Sequence, residues 1–132
     1  MSTPSKAGDV QLLCNLNSPT EITLSHLQLK RIYTMKTKVW PDGTPITVYT
    51  LETGNPLHKA FAQELLKTDI YQLDRIWNRL TFSGQSKPPI ILENETEMLE
   101  NLKNTPGSIG YLSSKVNIDH ALQTIQISGP QQ

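Results

Sequence analysis

Cysteine is nearly absent: Cys14 stands alone in 132 residues. That excludes an internal disulfide and a multi-thiolate metal site. An excess of either charge is also missing, since 12 Lys+Arg face 12 Asp+Glu. A balanced charge argues against a general nucleic-acid or polyanion binder, which needs a basic face. No apolar run approaches the ~18–20 residues of a membrane span. His26, His58 and His120 have no ligand spacing between them. The His-Glu-x-x-His helix, the phosphate loop, the Gly-x-Gly-x-x-Gly turn and the Gly-x-Ser-x-Gly elbow are all missing. Zinc hydrolysis, nucleotide binding and triad chemistry are thus unsupported, no cofactor is implied, and the chain does not read as an enzyme.

What is there suits one domain. Hydrophobic residues make up 36% and charged residues 18%. Both are low, yet the apolar residues cluster in periodic segments that can build a core. Residues 1–8 are small and polar and read as a disordered lead-in, 9–128 as one α/β domain, and 129–132 as a frayed tail. No basic stretch followed by an apolar one marks a signal peptide, so the chain reads either as cytoplasmic or as a mature exported chain.

Strands and helices alternate. Residues 9–16 (DVQLLCNL) are a short apolar run with turn residues on both sides, which predicts a buried strand holding Cys14 as a small hydrophobe. Ser25 and Gln28 form a capping box before Leu29, Ile32 and Tyr33, predicting a helix over about 26–35. Pro41-Asp42-Gly43 is a turn, with Trp40 packed over it. Residues 46–51 (ITVYTL) read as a strand. Asn55 caps the next helix and Pro56 opens it, with Leu57, Phe61 and Leu65 as its stripe. A helix over about 70–80 carries Leu73, Ile76, Trp77 and Leu80, and 81–89 reads as a loop. A strand at 90–92, a helix at 95–103 capped by Asn94, and strands at 109–112 and 121–127 complete the series. This alternation predicts an α/β fold with a mainly parallel sheet. The strand–glycine loop–helix start at 51–56 is the local feature most suited to an anion, because backbone N–H groups and the helix dipole point there.

Four segments carry a resemblance. They are LSHLQLKRIYTMKTKVWPDGTPITVYT, LETGNPLHKAF, IWNRLTFSGQSKPP and TPGSIGYL. In order and separation they resemble phosphate-type ABC-transporter substrate-binding proteins, over roughly residues 22 to 113. The closest likeness is to short, single-lobe members of that group. The resemblance implies one lobe of a periplasmic-binding-protein type II-like fold, a mainly parallel sheet flanked by helices. It favours a periplasmic or cell-envelope location for a mature exported chain.

The resemblance also implies an inorganic oxyanion of phosphate type as ligand. In the full-length proteins the anion sits between two lobes, and 132 residues supply one. A second copy or a protein partner would supply the other. Where the family has a Ser-Gly-Thr run, this chain reads Thr53-Gly54-Asn55-Pro56-Leu57. Thr53, Gly54 and Asn55 offer a partial nest; Pro56 has no N–H, and Glu52 repels an anion. Arg79, Ser83 and Gly84, placed by motif position, add a charge and donors. The alternative is an interaction or scaffold module of an envelope assembly that has lost the anion site.

Overall fold

A computed structural model describes residues 10–16, 22–84, 87–118 and 122–128. The expected lead-in and tail lie outside these residues, as do His120 and the centre of the loop expected over 81–89. In chain order the elements are β1 (Val10–Cys14), β2 (Ile22–Ser25), α1 (His26–Tyr33), β3 (Thr47–Leu51) and α2 (Pro56–Phe61). A π-helical turn (Ala62–Leu66) follows, then α3 (Ile70–Ser83), β4 (Ile90–Leu92), α4 (Glu95–Asn104), β5 (Ser108–Ser113) and β6 (Gln123–Ser128).

The strands form a six-stranded sheet in the order β2-β6-β1-β5-β3-β4. Strands β2 and β6, β3 and β5, and β3 and β4 pair in parallel. Only β1 runs against its neighbours, β5 and β6. The α/β fold with a mainly parallel sheet is therefore as expected. Strand β1 is buried along nearly its whole length, with Leu12, Leu13 and Cys14 at most 2% exposed. That is why it reads as a continuous apolar run and not as an alternating one.

Helices cover both faces of the sheet. A Cβ on Gly110 would meet Met98 Sδ at 2.6 Å, so this position of β5 faces α4. The next residue, Tyr111, stacks on Phe61 of α2 at 3.9 Å between ring centroids. Successive strand residues point to opposite faces, so α2 and α4 lie on opposite sides.

The local signals set the helix starts. Ser25 accepts from Gln28 N–H while the Gln28 side chain accepts from Ser25 N–H, closing the capping box. Asn55, Asp69 and Asn94 cap α2, α3 and α4 through their side chains. Three boundaries differ from the sequence reading. Strand β2 was not expected, because only Leu24 of its four residues is buried. The helix after Asn55 loosens into the π turn, which keeps Leu65 of the expected stripe buried and buries Ala62 and Leu66 beside it. The segment expected as a loop from 81 is helical to Ser83, and Gly84 ends α3 in the left-handed region (φ 71°).

The motifs behind the resemblance meet inside the fold. Trp40 is buried, and its indole N–H donates to Gly107 O at 2.9 Å. Gly107 has φ 84°, and a Cβ there would stand 2.5 Å from Pro45 O. Only glycine fits both requirements. The Trp40 turn and the loop before β5 are thus locked together. Cys14 is buried too, and burial pushes its thiol up to about 12.

Candidate functional site: the carboxyl ends of β3 and β5

In open α/β sheets, ligand crevices form beyond the carboxyl ends of parallel strands. Strands β3 and β5 are parallel neighbours. The chain leaves β3 through Glu52-Thr53-Gly54 and turns into α2; it leaves β5 through Ser114 and Lys115. Between them is an open crevice of about 350 Å³, lined by Pro56, Leu57 and Ala60 of α2 and by Ser113, Ser114 and Lys115.

The start of α2 is closed by its own cap. Asn55 Oδ1 accepts from Leu57 N–H at 2.8 Å, and Asn55 O accepts from His58 N–H and Lys59 N–H. Asn55 N–H in turn donates to Glu52 O. Pro56 has no N–H to offer. The Thr53 hydroxyl donates to Asp74 Oδ1 at 3.3 Å. Donors lining the crevice therefore come from elsewhere: the Ser114 hydroxyl and the Lys115 ammonium. Lys115 N–H donates to Ser113 Oγ, while Ser113 N–H donates to Glu95 Oε1 at 2.7 Å.

Below this crevice lies a buried polar cluster. His58 Nδ1 is 2.7 Å from Tyr111 Oη and 3.1 Å from Thr50 Oγ1. Tyr111 Oη also accepts from Leu51 N–H at 2.8 Å and lies 2.9 Å from Thr50 Oγ1. One proton arrangement satisfies every donor. His58 Nδ1–H donates to Tyr111 Oη, Tyr111 donates to Thr50, and Thr50 donates to Leu51 O at 3.4 Å. It leaves a bare lone pair on the buried His58 Nε2, which has no partner among the described residues. A lone acceptor costs less to bury than a lone donor, so this tautomer is favoured. Burial holds the His58 imidazole below its ordinary value, opposed by the Asp74 carboxylate; burial also raises the Tyr111 phenol. The cluster ties the ends of β3 and β5 to the first turn of α2 and fixes the crevice walls.

The residues expected to hold an anion fall in two places. Thr53, Gly54 and Asn55 form the turn into α2, next in sequence to Pro56 and Leu57 of the crevice wall, but do not themselves line it. Arg79, Ser83 and Gly84 lie along the last turns of α3. Asp74, which touches Thr53, precedes Arg79 and Ser83 by roughly 8 and 14 Å of helix axis. None of Arg79, Ser83 and Gly84 lines the crevice, and Arg79 lines a separate groove between α1 and α3. Ser114 and Lys115 were not expected; the only signal for them is that they follow the strand of the TPGSIGYL segment.

No protein-family model matches the sequence, and no curated protein is significantly similar to it. Solved structures do match. A putative phosphate ABC transporter substrate-binding protein from Clostridium perfringens, solved with bound phosphate, superposes with a TM-score of 0.69 at 22% identity. The match covers 90% of this chain and 44% of that one. An ABC-type phosphate transport receptor from Vibrio cholerae matches at TM-score 0.65 and 16% identity, over 90% and 46% of the two chains. PstS from Borrelia burgdorferi matches at 0.67 and 12%, over 94% and 49%. The chain spans less than half the length of these proteins. Its fold is that of one lobe of a phosphate ABC-transporter substrate-binding protein.

Proposed function

We propose that the chain is a binding protein for a small tetrahedral oxyanion of phosphate type, held at the crevice beyond β3 and β5. The observation that supports this most directly is the fold shared with a protein solved with phosphate bound. The crevice adds chemistry an oxyanion wants, a lysine ammonium and serine hydroxyls, and the exposed Thr53-Gly54 turn leads into its Pro56 wall. Charge-assisted bonds from such groups are the strong ones. Glu52, the residue after β3, adds a negative charge to the turn into α2, so affinity for a dianion is modest in the chain on its own. Binding and not catalysis is the reading, because one neighbour is named a substrate-binding protein and another a transport receptor, and the Cys14 thiol is buried and protonated. The same likeness supports a cell-envelope location.

Titration calorimetry with inorganic phosphate and sulfate tests this. Saturable binding of phosphate, weakened at least tenfold by Lys115→Ala, is expected. Absence of heat with both anions, or binding indifferent to Lys115→Ala, overturns the site.

A further inference from the structure

Net charge conceals a segregation. A second groove, about 670 Å³ in volume, runs between the C-terminal halves of α1 and α3, away from the crevice. Five cations line it: Lys30, Arg31, Lys36, Lys38 and Arg79. No carboxylate lines it, and none of the five is ion-paired among the described residues. Its apolar lining is Leu27, Met35, Ile76 and Leu80, with Leu27 67% exposed.

The spacing of these residues carries the argument. Leu27, Lys30, Arg31 and Thr34 fall at i, i+3, i+4 and i+7 on α1; Ile76, Arg79 and Leu80 fall at i, i+3 and i+4 on α3. Each set is one helix stripe. Two such stripes side by side form the groove that a third helix fills. Trp77 Nε1 donates to Tyr33 O at 2.9 Å and pins α1 against α3 beneath it.

The end of α1 shapes the rim. Lys36 N–H donates to Arg31 O and Met35 N–H to Ile32 O, a Schellman turn. Such a turn needs a left-handed residue, usually glycine, and here Met35 takes it at φ 63°. The reversal places Lys36 and Lys38 at the groove, and it puts an apolar Met side chain where glycine would leave none.

We propose that this groove docks an acidic amphipathic helix of a partner protein, about two turns long, with leucine-like anchors flanked by Glu or Asp. Charge complementarity selects the acidic flanks, the apolar floor selects the anchors, and the paired stripes select a helix. A flat anionic membrane or a nucleic-acid backbone meets the cations but leaves the recessed floor unfilled.

The test uses a labelled helical peptide of about 14 residues, two heptads, with Leu at one helical stripe and Glu beside it. Its fluorescence anisotropy is followed against the purified chain. A scrambled peptide of the same composition, anionic phosphatidylglycerol vesicles and a short DNA duplex are run in parallel. Expected are saturable binding of the amphipathic peptide that weakens with salt, at least tenfold loss with Arg31→Glu/Arg79→Glu, and at least fivefold loss with Leu80→Ser. The double variant should keep the wild-type melting temperature within a few degrees. Equal binding of the scrambled peptide, tighter binding of vesicles or DNA, or no peptide binding at low salt overturns the proposal. Phosphate affinity at the crevice, measured on the same variants, should not change, so failure here is distinct from failure of the oxyanion site.

Discussion

The seam between Trp40 and Gly107 and the groove between α1 and α3 use polar groups in opposite ways. In the seam they are closed: Gly107 O accepts from the Trp40 indole and from Thr47 N–H, and Gly107 N–H donates to Asn15 O at 2.7 Å. In the groove, five cations stand without a carboxylate partner among the described residues. Closed groups hold a structure, while open ones are free for another molecule. Substitution in the seam should therefore change stability and leave binding alone, and substitution in the groove should do the reverse.

The largest effect should come from Gly107→Ala. It forces a Cβ against a backbone carbonyl and into a left-handed conformation. A loss of about 3 kcal/mol is expected, read as a fall of about 10 °C in melting temperature. A fall of only a degree or two would mean that the two loops are not locked. Next is Trp40→Phe, which keeps one aromatic ring but removes the bond to Gly107 O and part of the buried indole, and should cost about 2 kcal/mol in urea unfolding.

The seam has a counterpart that depends on pH. His58 has a folded pKa below its ordinary 6.5, because burial disfavours the charged ring and only partly yields to Asp74. The unfolded chain therefore binds the proton more readily than the folded one. The stability linked to this group is full above the unfolded value and is lost as pH falls below it toward the folded value. Urea midpoints measured downward from pH 7.5 should fall from about pH 6.5, and His58→Gln should flatten that part of the profile. An unchanged slope in the variant would show that other groups set the acid limit. Arg31→Glu/Arg79→Glu is the opposing case: stability within about 0.5 kcal/mol of wild type by the same unfolding. A large loss there would make the groove architecture after all. Smallest is Met35→Gly. Relief of the left-handed strain, about 1 kcal/mol, is offset by loss of a half-buried side chain, so its urea midpoint should barely move.

The fold was legible where local rules act alone. The capping box at Ser25, the caps at Asn55 and Asn94, and the turn at Asp42 all stand where short-range chemistry puts them. The Asp42 carboxylate accepts from Thr44 N–H at 2.9 Å, which lowers its pKa. The buried run of β1 was equally plain, but its direction was not, since orientation depends on partners some hundred residues away. The π turn escaped because nothing in a single sequence marks one extra residue per turn. For function, the motifs led to the strand ends and to Thr53–Asn55, yet their tryptophans and glycines turn out to build the scaffold. Arg79, which motif position assigns to an anion site, lines the α1/α3 groove among cations that only the tertiary fold gathers. Equal totals of Lys+Arg and Asp+Glu hid that clustering, because a sum carries no positions.

The reversed strand at the centre has a kinetic meaning. Strand β1 is the junction between β2–β6 on one side and β5–β3–β4 on the other. It precedes both its partners by about a hundred residues: Leu13 pairs with Gly110 and with Thr124. During synthesis β1 must wait, apolar and unpaired, until the hundred or so residues that separate it from β5 and β6 have emerged. Closing a loop that long is a slow, late event. The two halves of the sheet are joined in that last step, and until then the exposed β1 is the segment most open to pairing with a neighbouring nascent chain.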